Sequence, residues 1–448
     1  MSTTDPALEA STSPAGSSST SPSHTDRLAA DHRRALRAND PEVYAAIVGE
    51  EERDLLFNDS TTTEIYTYPE VFACNGSVMT NKYAEGYPGR RYYGGQEFTD
   101  AIERLAIARA KELFGAEHAN VQPLSGSPMN QAVYMGFLEP GDKVLAMDLS
   151  HGGHLTHGAP VSHMGKIYEF ARYKTKPDGS GDIDFDLLRA QALEHRPKMV
   201  LVGHSSYPRD YDYGAFQRIA DEIGALTMAD VSHIGGLIAG KALANPIDAG
   251  FDFVTTTTHK SLRGPRGGMI LCKKEHAKTV DKAVFPGLQG GPHMNAIAGI
   301  AVTLGKALQP EFREYARATI ANAKALAEAL VEKGAKLVTG GTENHLMVVV
   351  TTDTYGIDGR VAEETLDEVS ITVNKQIVPD DPNPPLRPSG IRLGTPAATT
   401  RGFGEEQMRQ LAGWIDAALR HHDDEGKLAE IRGEVEALCL AYPVPGLS

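Results

Sequence analysis

Two hydrophobic periods alternate along most of this chain. From Thr99 to Phe114, Ile102, Leu105, Ala106 and Leu113 recur at helical spacing on one face, and Gly115 ends the run. Short apolar or β-branched runs follow at Lys143–Met147, Met199–Val202, Ala225–Ala229, Phe251–Thr257 and Met269–Cys272. Their near-continuous apolar character predicts strands covered on both faces. Helical patterns lie between them at Phe185–Glu194 and Gly214–Ile223. Such alternation predicts an α/β fold with a mostly parallel sheet between helices. Helices from about Asn295 to Lys333 lead into a smaller α+β region. There Lys336–Val338 and His345–Thr351 read as strands, and Glu405–Arg420 as an amphipathic helix.

The N-terminus breaks this pattern. Met1 to His24 is rich in Ser, Thr, Pro and Ala, a composition that predicts a disordered tail. From Asp26 to Arg53 charged and apolar residues alternate as in a pair of amphipathic helices. The expected organisation is a tail at 1–24, a helical arm at 25–57, a large domain at 58–298 and a small domain at 299–448. The net charge of −15 argues against nonspecific nucleic-acid binding. Cys74, Cys272 and Cys439 are far apart and form no metal or redox motif. No apolar run reaches membrane-spanning length, and the first residues lack the features of a signal or transit peptide, so the cytoplasm is the expected compartment.

Candidate chemistry begins at Lys260. It follows the β-branched run Phe253–Thr258 and precedes the loop Ser261–Gly268, so it reads as a lysine at a strand exit. A lysine amine held there can condense with an aldehyde if burial or nearby cations disfavour its charged form. Upstream, the apolar run Leu226–Ala229 ends in Asp230, with His233 three residues on. Carboxyl ends of parallel strands face the ligand crevice. Asp230 is therefore placed either to cap a helix or to pair with a cofactor nitrogen. A third element is Ser125-Gly126-Ser127 before a helix opening at Pro128, which makes either an ordinary capped turn or a phosphate cup. His151, His154 and His157 lie in a glycine-interrupted loop without the carboxylate or cysteine company of a metal site, so no metal is expected. Asp182, Asp184 and Asp186 fail calcium-loop spacing, and Asp184 and Asp186 read as caps for the helix Phe185–His195.

Taken in order, these segments resemble serine hydroxymethyltransferase from about Asn58 to Leu419. The likeness is carried by Asn81–Gly95 (NKYAEGYPGRRYYGG), His151–Gly158 (HGGHLTHG), Thr255–Lys260 (TTTTHK), Val284–Pro292 (VFPGLQGGP) and Ser389–Pro396 (SGIRLGTP). The resemblance implies an aspartate aminotransferase-like, fold type I enzyme. Its large domain would hold a mostly parallel seven-stranded sheet between helices, with a smaller α+β C-terminal domain. It implies pyridoxal 5'-phosphate as cofactor, tetrahydrofolate as co-substrate, serine and glycine as substrates, and a homodimer or dimer of dimers with shared sites. The N-terminal arm would wrap the partner subunit. Lys260 would anchor the cofactor, Asp230 would meet its pyridine nitrogen, and His154 would stack on the ring. Ser205 and His233 would support the phenolic oxygen. Gly126 and Ser127 would hold the phosphate, helped by Tyr83, Gly290 and Gly291 of a neighbouring subunit. Thr257 joins Lys260, Asp230, His154, Glu85 and Tyr93 as an expected catalytic residue. Arg392 would clamp the substrate carboxylate, with Glu85, Tyr93 and Thr63 also at the substrate. Glu85 is the expected proton carrier for the hydroxymethyl group. Leu149, Gly153, Leu155, Tyr92 and Gln376 would line the folate pocket.

Several positions depart from the family pattern. Thr63-Glu64-Ile65 stands where Ser-Glu-Asn is usual, and Ser232 stands where alanine lies under the ring. Pro128-Met129 follows the cup, His204 replaces an aromatic or small residue, and Gln376 replaces asparagine. These leave two expectations open: an ordinary serine hydroxymethyltransferase, or a relative specialised for α-methylserine or for threonine cleavage. A cofactor-fold protein without activity would be expected to lack Lys260, Asp230 or Arg392, and all three are present.

Overall fold

The computed structural model describes residue 34 and residues 36–56, 58–59 and 68–445. The expected tail at 1–24 and the segment Thr63–Ile65 lie outside the described residues. The chain divides into two compact units, residues 1–51 and 52–448. Asp40, in the first, caps the helix that begins at Pro41, its side chain accepting from the Val43 amide at 3.1 Å.

The second unit is built on a seven-stranded sheet: β1 His118–Asn120, β2 Lys143–Met147, β3 Glu169–Tyr173, β4 Met199–Gly203, β5 Leu226–Asp230, β6 Phe253–Thr257 and β7 Gly268–Cys272. The spatial order is β1-β7-β6-β5-β4-β2-β3. β2, β3, β4, β5 and β6 pair in parallel, and β7 is antiparallel to both β6 and β1. Six strands therefore point one way. Strand residues alternate between two apolar cores. Leu145, Met147, Val200, Val202, Ala229 and Val254 belong to one. Val144, Ala146, Met199, Leu201, Met228 and Phe253 belong to the other. Helices cover both faces, which is why these strands lack polar alternation.

A second sheet is antiparallel, in the order β8 Leu346–Val350, β10 Gly390–Gly394, β9 Asn374–Gln376. Its core joins Met347, Val349, Ile391 and Leu393 to the helices Pro310–Glu332, Glu405–Arg420 and Glu425–Ala441. Residue 298 lies inside the helix Met294–Ala307, and core membership changes later, between Ala316 and Ala323. The strand expected at Lys336–Val338 is reduced to one bridge, Leu337 to Val349. Thr339 and Gly340 both take positive φ and curl the chain away from the sheet. Asp184 caps the helix Phe185–His195, accepting from the Leu187 amide at 2.9 Å. Among the described residues, no helix is long and apolar enough to cross a membrane.

Candidate active site

The sheet direction sets the site. Register pairs Gly203 with Asp230 and Asp230 with Thr255, so the carboxyl ends of β4, β5 and β6 lie side by side. Ser205, Asp230 and Lys260 thereby reach one edge, where ligands bind in open α/β sheets. β1 ends at the same edge and leads into the cup. The Gly268 amide, opening β7, donates to the Pro123 carbonyl at 2.9 Å and ties the cup to the lysine loop. The cup helix begins at Gly126, two residues before the expected Pro128. A Cβ on Gly126 would come within 2.9 Å of the Thr257 methyl, so only glycine lets the helix start sit on the end of β6. The first-turn amides of this helix suit an anion.

Lys260 is half-buried, with Asp230, Arg392 and Arg266 near it. Burial, aided by the two arginines and opposed by Asp230, pushes its amine down to about 8. Asp230 is buried and accepts four hydrogen bonds. Oδ2 accepts from Asn130 Nδ2 at 2.7 Å and from His157 Nε2 at 3.1 Å. Oδ1 accepts from the Ser232 hydroxyl at 2.5 Å and the Ser232 amide at 3.1 Å. Burial alone would raise this carboxyl, but His157, His154 and Ser232 outweigh it and hold it well below the usual carboxylate range.

His154 begins a short helical turn. Its Nδ1 accepts from the Thr156 amide at 3.2 Å, so Nε2 carries the proton in the neutral ring. Thr156 Oγ1 lies 2.8 Å from His154 Nδ1 and receives an Asn130 amide hydrogen at 3.0 Å. Asn130 in turn accepts from the Thr255 hydroxyl at 2.8 Å. A hydrogen-bonded chain thus runs from β6 through the cup helix to His154. Burial, with His157 nearby, lowers His154 to about 4, so the ring is neutral at ordinary pH.

Gly152 lets the His154 loop press against the chain beyond β4, where a Cβ would lie 3.0 Å from the Tyr207 amide nitrogen, and Gly153 folds it back on the end of β2. A Cβ on Gly153 would lie 2.5 Å from the Met147 carbonyl oxygen. The Ser205 amide donates to Gly152 O at 2.7 Å and its hydroxyl to Gly153 O at 3.0 Å. Arg392, on β10, donates to Ser205 O at 2.6 Å. Among the described residues it makes no ion pair, and burial lowers its guanidinium to about 10. His233 is a half-buried ring stacked between His204 and His345, at centroid distances of 6.2 and 5.9 Å. Burial first, then the Lys260 and Arg392 charges, keeps His233 neutral. His204 is likewise lowered, to about 3, by burial.

A second group of expected residues forms its own cluster. Tyr83 and Tyr93 meet edge to face at 5.6 Å, and Tyr92 meets Phe285 at 5.7 Å. Glu85 lies beside Gly290 and Gly291, and its charge raises the Tyr93 phenol. Tyr83, Tyr92 and Tyr93 are more than half exposed, at 63%, 71% and 53%. Among the described residues this cluster shares no hydrogen bond or ring contact with the Lys260 group. Leu149 and Leu155 flank the His154 loop, Leu155 being half exposed, and the Gln376 side chain donates to the Ile377 carbonyl at 3.1 Å. Thr63 lies outside the described residues.

Asn130, Thr156 and Thr255 escaped the sequence reading, as did the role of His157. The available signal was spacing. Asn130 lies one helical turn past Gly126 and Ser127 and so shares their face. The ligand atoms of His154, His157 and Asp230 gather within 4.8 Å. His157 and Asp230 are there already joined by a hydrogen bond, which accounts for their closeness.

A half-buried lysine at the carboxyl edge of this sheet, an ionised carboxylate one strand away and an anion cup beside them fit an aldehyde cofactor carrying a ring nitrogen and a phosphate. That combination defines the class of fold type I, pyridoxal phosphate-dependent enzymes. Within that class, a family model described as serine hydroxymethyltransferase matches residues 36–415. The chain belongs to the serine hydroxymethyltransferase family, whose members are pyridoxal phosphate-dependent transferases.

Proposed function

We propose that the protein transfers the hydroxymethyl group of serine reversibly to tetrahydrofolate, giving glycine and 5,10-methylenetetrahydrofolate. The observation that carries this reading is Arg392: a half-buried, poorly hydrated guanidinium beside Lys260 that, among the described residues, pairs with no carboxylate. Its planar pair of donors suits the α-carboxylate of an amino acid.

Lys260 presents an amine that loses its proton readily and serves as covalent anchor. Asp230, fixed and ionised, faces the ring nitrogen, and neutral His154 offers its flat face to the ring. Gly126 and Ser127 hold the phosphate. Bound pyridoxal phosphate supplies a sink for the electron pair released when a bond to the substrate Cα breaks. Thr257 closes the floor beside Lys260. Ser205 and His233 flank the phenolic side. Glu85 accepts the serine hydroxyl proton as the Cα–Cβ bond breaks and formaldehyde leaves, with Tyr93 beside it. Leu149, Gly153, Leu155, Tyr92 and Gln376 form the folate wall, where the released carbon is captured.

The separate, exposed Tyr83–Glu85–Tyr93 cluster supports a homodimer or dimer of dimers in which it serves the neighbouring subunit, with Tyr83, Gly290 and Gly291 at that subunit's phosphate. Purified protein incubated with serine, with and without tetrahydrofolate, is expected to form glycine and methylenetetrahydrofolate only when folate is present. Preference for α-methylserine, or folate-independent cleavage of threonine, would overturn the serine assignment.

A further inference from the structure

The four hydrogen bonds to Asp230 have a chemical consequence. An ionised carboxylate offers about four acceptor sites. Here each is met by a donor. The proton on His157 Nε2 is fixed because Nδ1 accepts from the His154 amide at 3.3 Å. The Ser232 proton is directed the same way, since Ser232 Oγ accepts from the Thr257 amide at 3.3 Å while lying 2.5 Å from Asp230 Oδ1. Ser232 is itself buried, so water does not compete for its hydroxyl. With alanine at this position, Oδ1 would keep only the backbone amide and one open site. A short hydroxyl-to-carboxylate bond is charge-assisted and correspondingly strong.

We propose that Ser232 is a positioning residue that competes with the cofactor's ring nitrogen for Asp230, so that the bound ring is protonated less firmly than an alanine at this site would allow. The inference rests on the reading that Asp230 faces that nitrogen. A carboxylate already satisfied by four donors is a weaker base toward a fifth. The ring N–H must share Oδ1 with the serine hydroxyl or displace it. Ser232 therefore sets how strongly the cofactor withdraws electrons.

The test uses holoenzyme carrying pyridoxal phosphate isotopically labelled at the ring nitrogen, whose nitrogen NMR shift reports protonation as pH is varied. Ser232→Ala is expected to raise the ring-nitrogen pKa by about one unit, a tenfold change in its protonation constant. Ser232→Thr, which keeps the hydroxyl, is expected to titrate with the wild type. Equal midpoints in wild type and Ser232→Ala would overturn the proposal. So would a shift in Ser232→Thr as large as in Ser232→Ala, which would assign the effect to packing. If Asp230→Asn leaves the wild-type shift unchanged, Asp230 does not face the nitrogen, and the underlying reading fails first.

Discussion

If Lys260 is the cofactor's anchor, its amine, lowered to about 8 by burial and two arginines, governs how the apoenzyme takes up pyridoxal phosphate. Only the neutral amine attacks an aldehyde. The lowered value means the reactive form is already present near neutrality. The rate of reconstitution with pyridoxal phosphate is expected to rise with pH and level off above about 8. A plateau near the ordinary lysine value, followed by stopped-flow absorbance, would contradict the burial argument. Lys260→Ala is expected to abolish the visible band of the bound cofactor; a band that survives would move the anchor elsewhere. Asp230→Asn removes the negative charge and leaves its neighbouring donors facing a neutral amide. It should still bind cofactor, by spectral titration, yet lose most turnover, by about 10²-fold or more.

The element that presents Glu85 is held by one buried ion network. Arg91, on the short ribbon Arg90–Arg91, pairs with Glu103 at 2.6 Å and Asp100 at 2.9 Å from the helix Glu97–Phe114. It also donates to the Ala84 and Gly86 carbonyls, on either side of Glu85. Arg91→Met is expected to cost about 3–5 kcal/mol, because Glu103 would be left buried with its charge unpaired. Denaturant unfolding measures this, and a loss below about 1 kcal/mol would mean that the carboxylate simply protonates. The long apolar strands β2, β4, β5, β6 and β7 were legible, because burial on both faces leaves an uninterrupted apolar signature. β1 is three residues long, and β3 reads Glu-Phe-Ala-Arg-Tyr at the sheet edge; neither carries that signature. The candidate site was legible where motifs are contiguous, at Lys260, Asp230 and the cup. Asn130, Thr156 and Thr255 matter through side chains that meet only after three distant elements pack, which no local pattern encodes.

For the whole molecule, the two clusters lead to a mixing experiment. If Glu85 serves a neighbour's Lys260, subunits carrying Lys260→Ala and subunits carrying Glu85→Gln are each nearly inactive alone. Refolded together in equal amounts, they should recover about a quarter of wild-type turnover, since half of the random dimers then hold one intact site. No recovery, with hybrid dimers verified by mass, would place both residues in the same subunit's site.

Arg392 brings a practical consequence. A desolvated guanidinium that pairs with no carboxylate among the described residues is suited to receive a small carboxylate from solution. If Arg392 clamps the substrate carboxylate as proposed, acetate, formate or citrate used as buffer is expected to compete with the amino acid there and raise its apparent KM. The same anions would raise the melting temperature of the protein without substrate, as any ligand of the native state does. Kinetics in carboxylate buffers would then understate how well the enzyme holds its substrate, and zwitterionic sulfonate buffers, whose anionic group is bulkier, are the better choice for comparing amino acids.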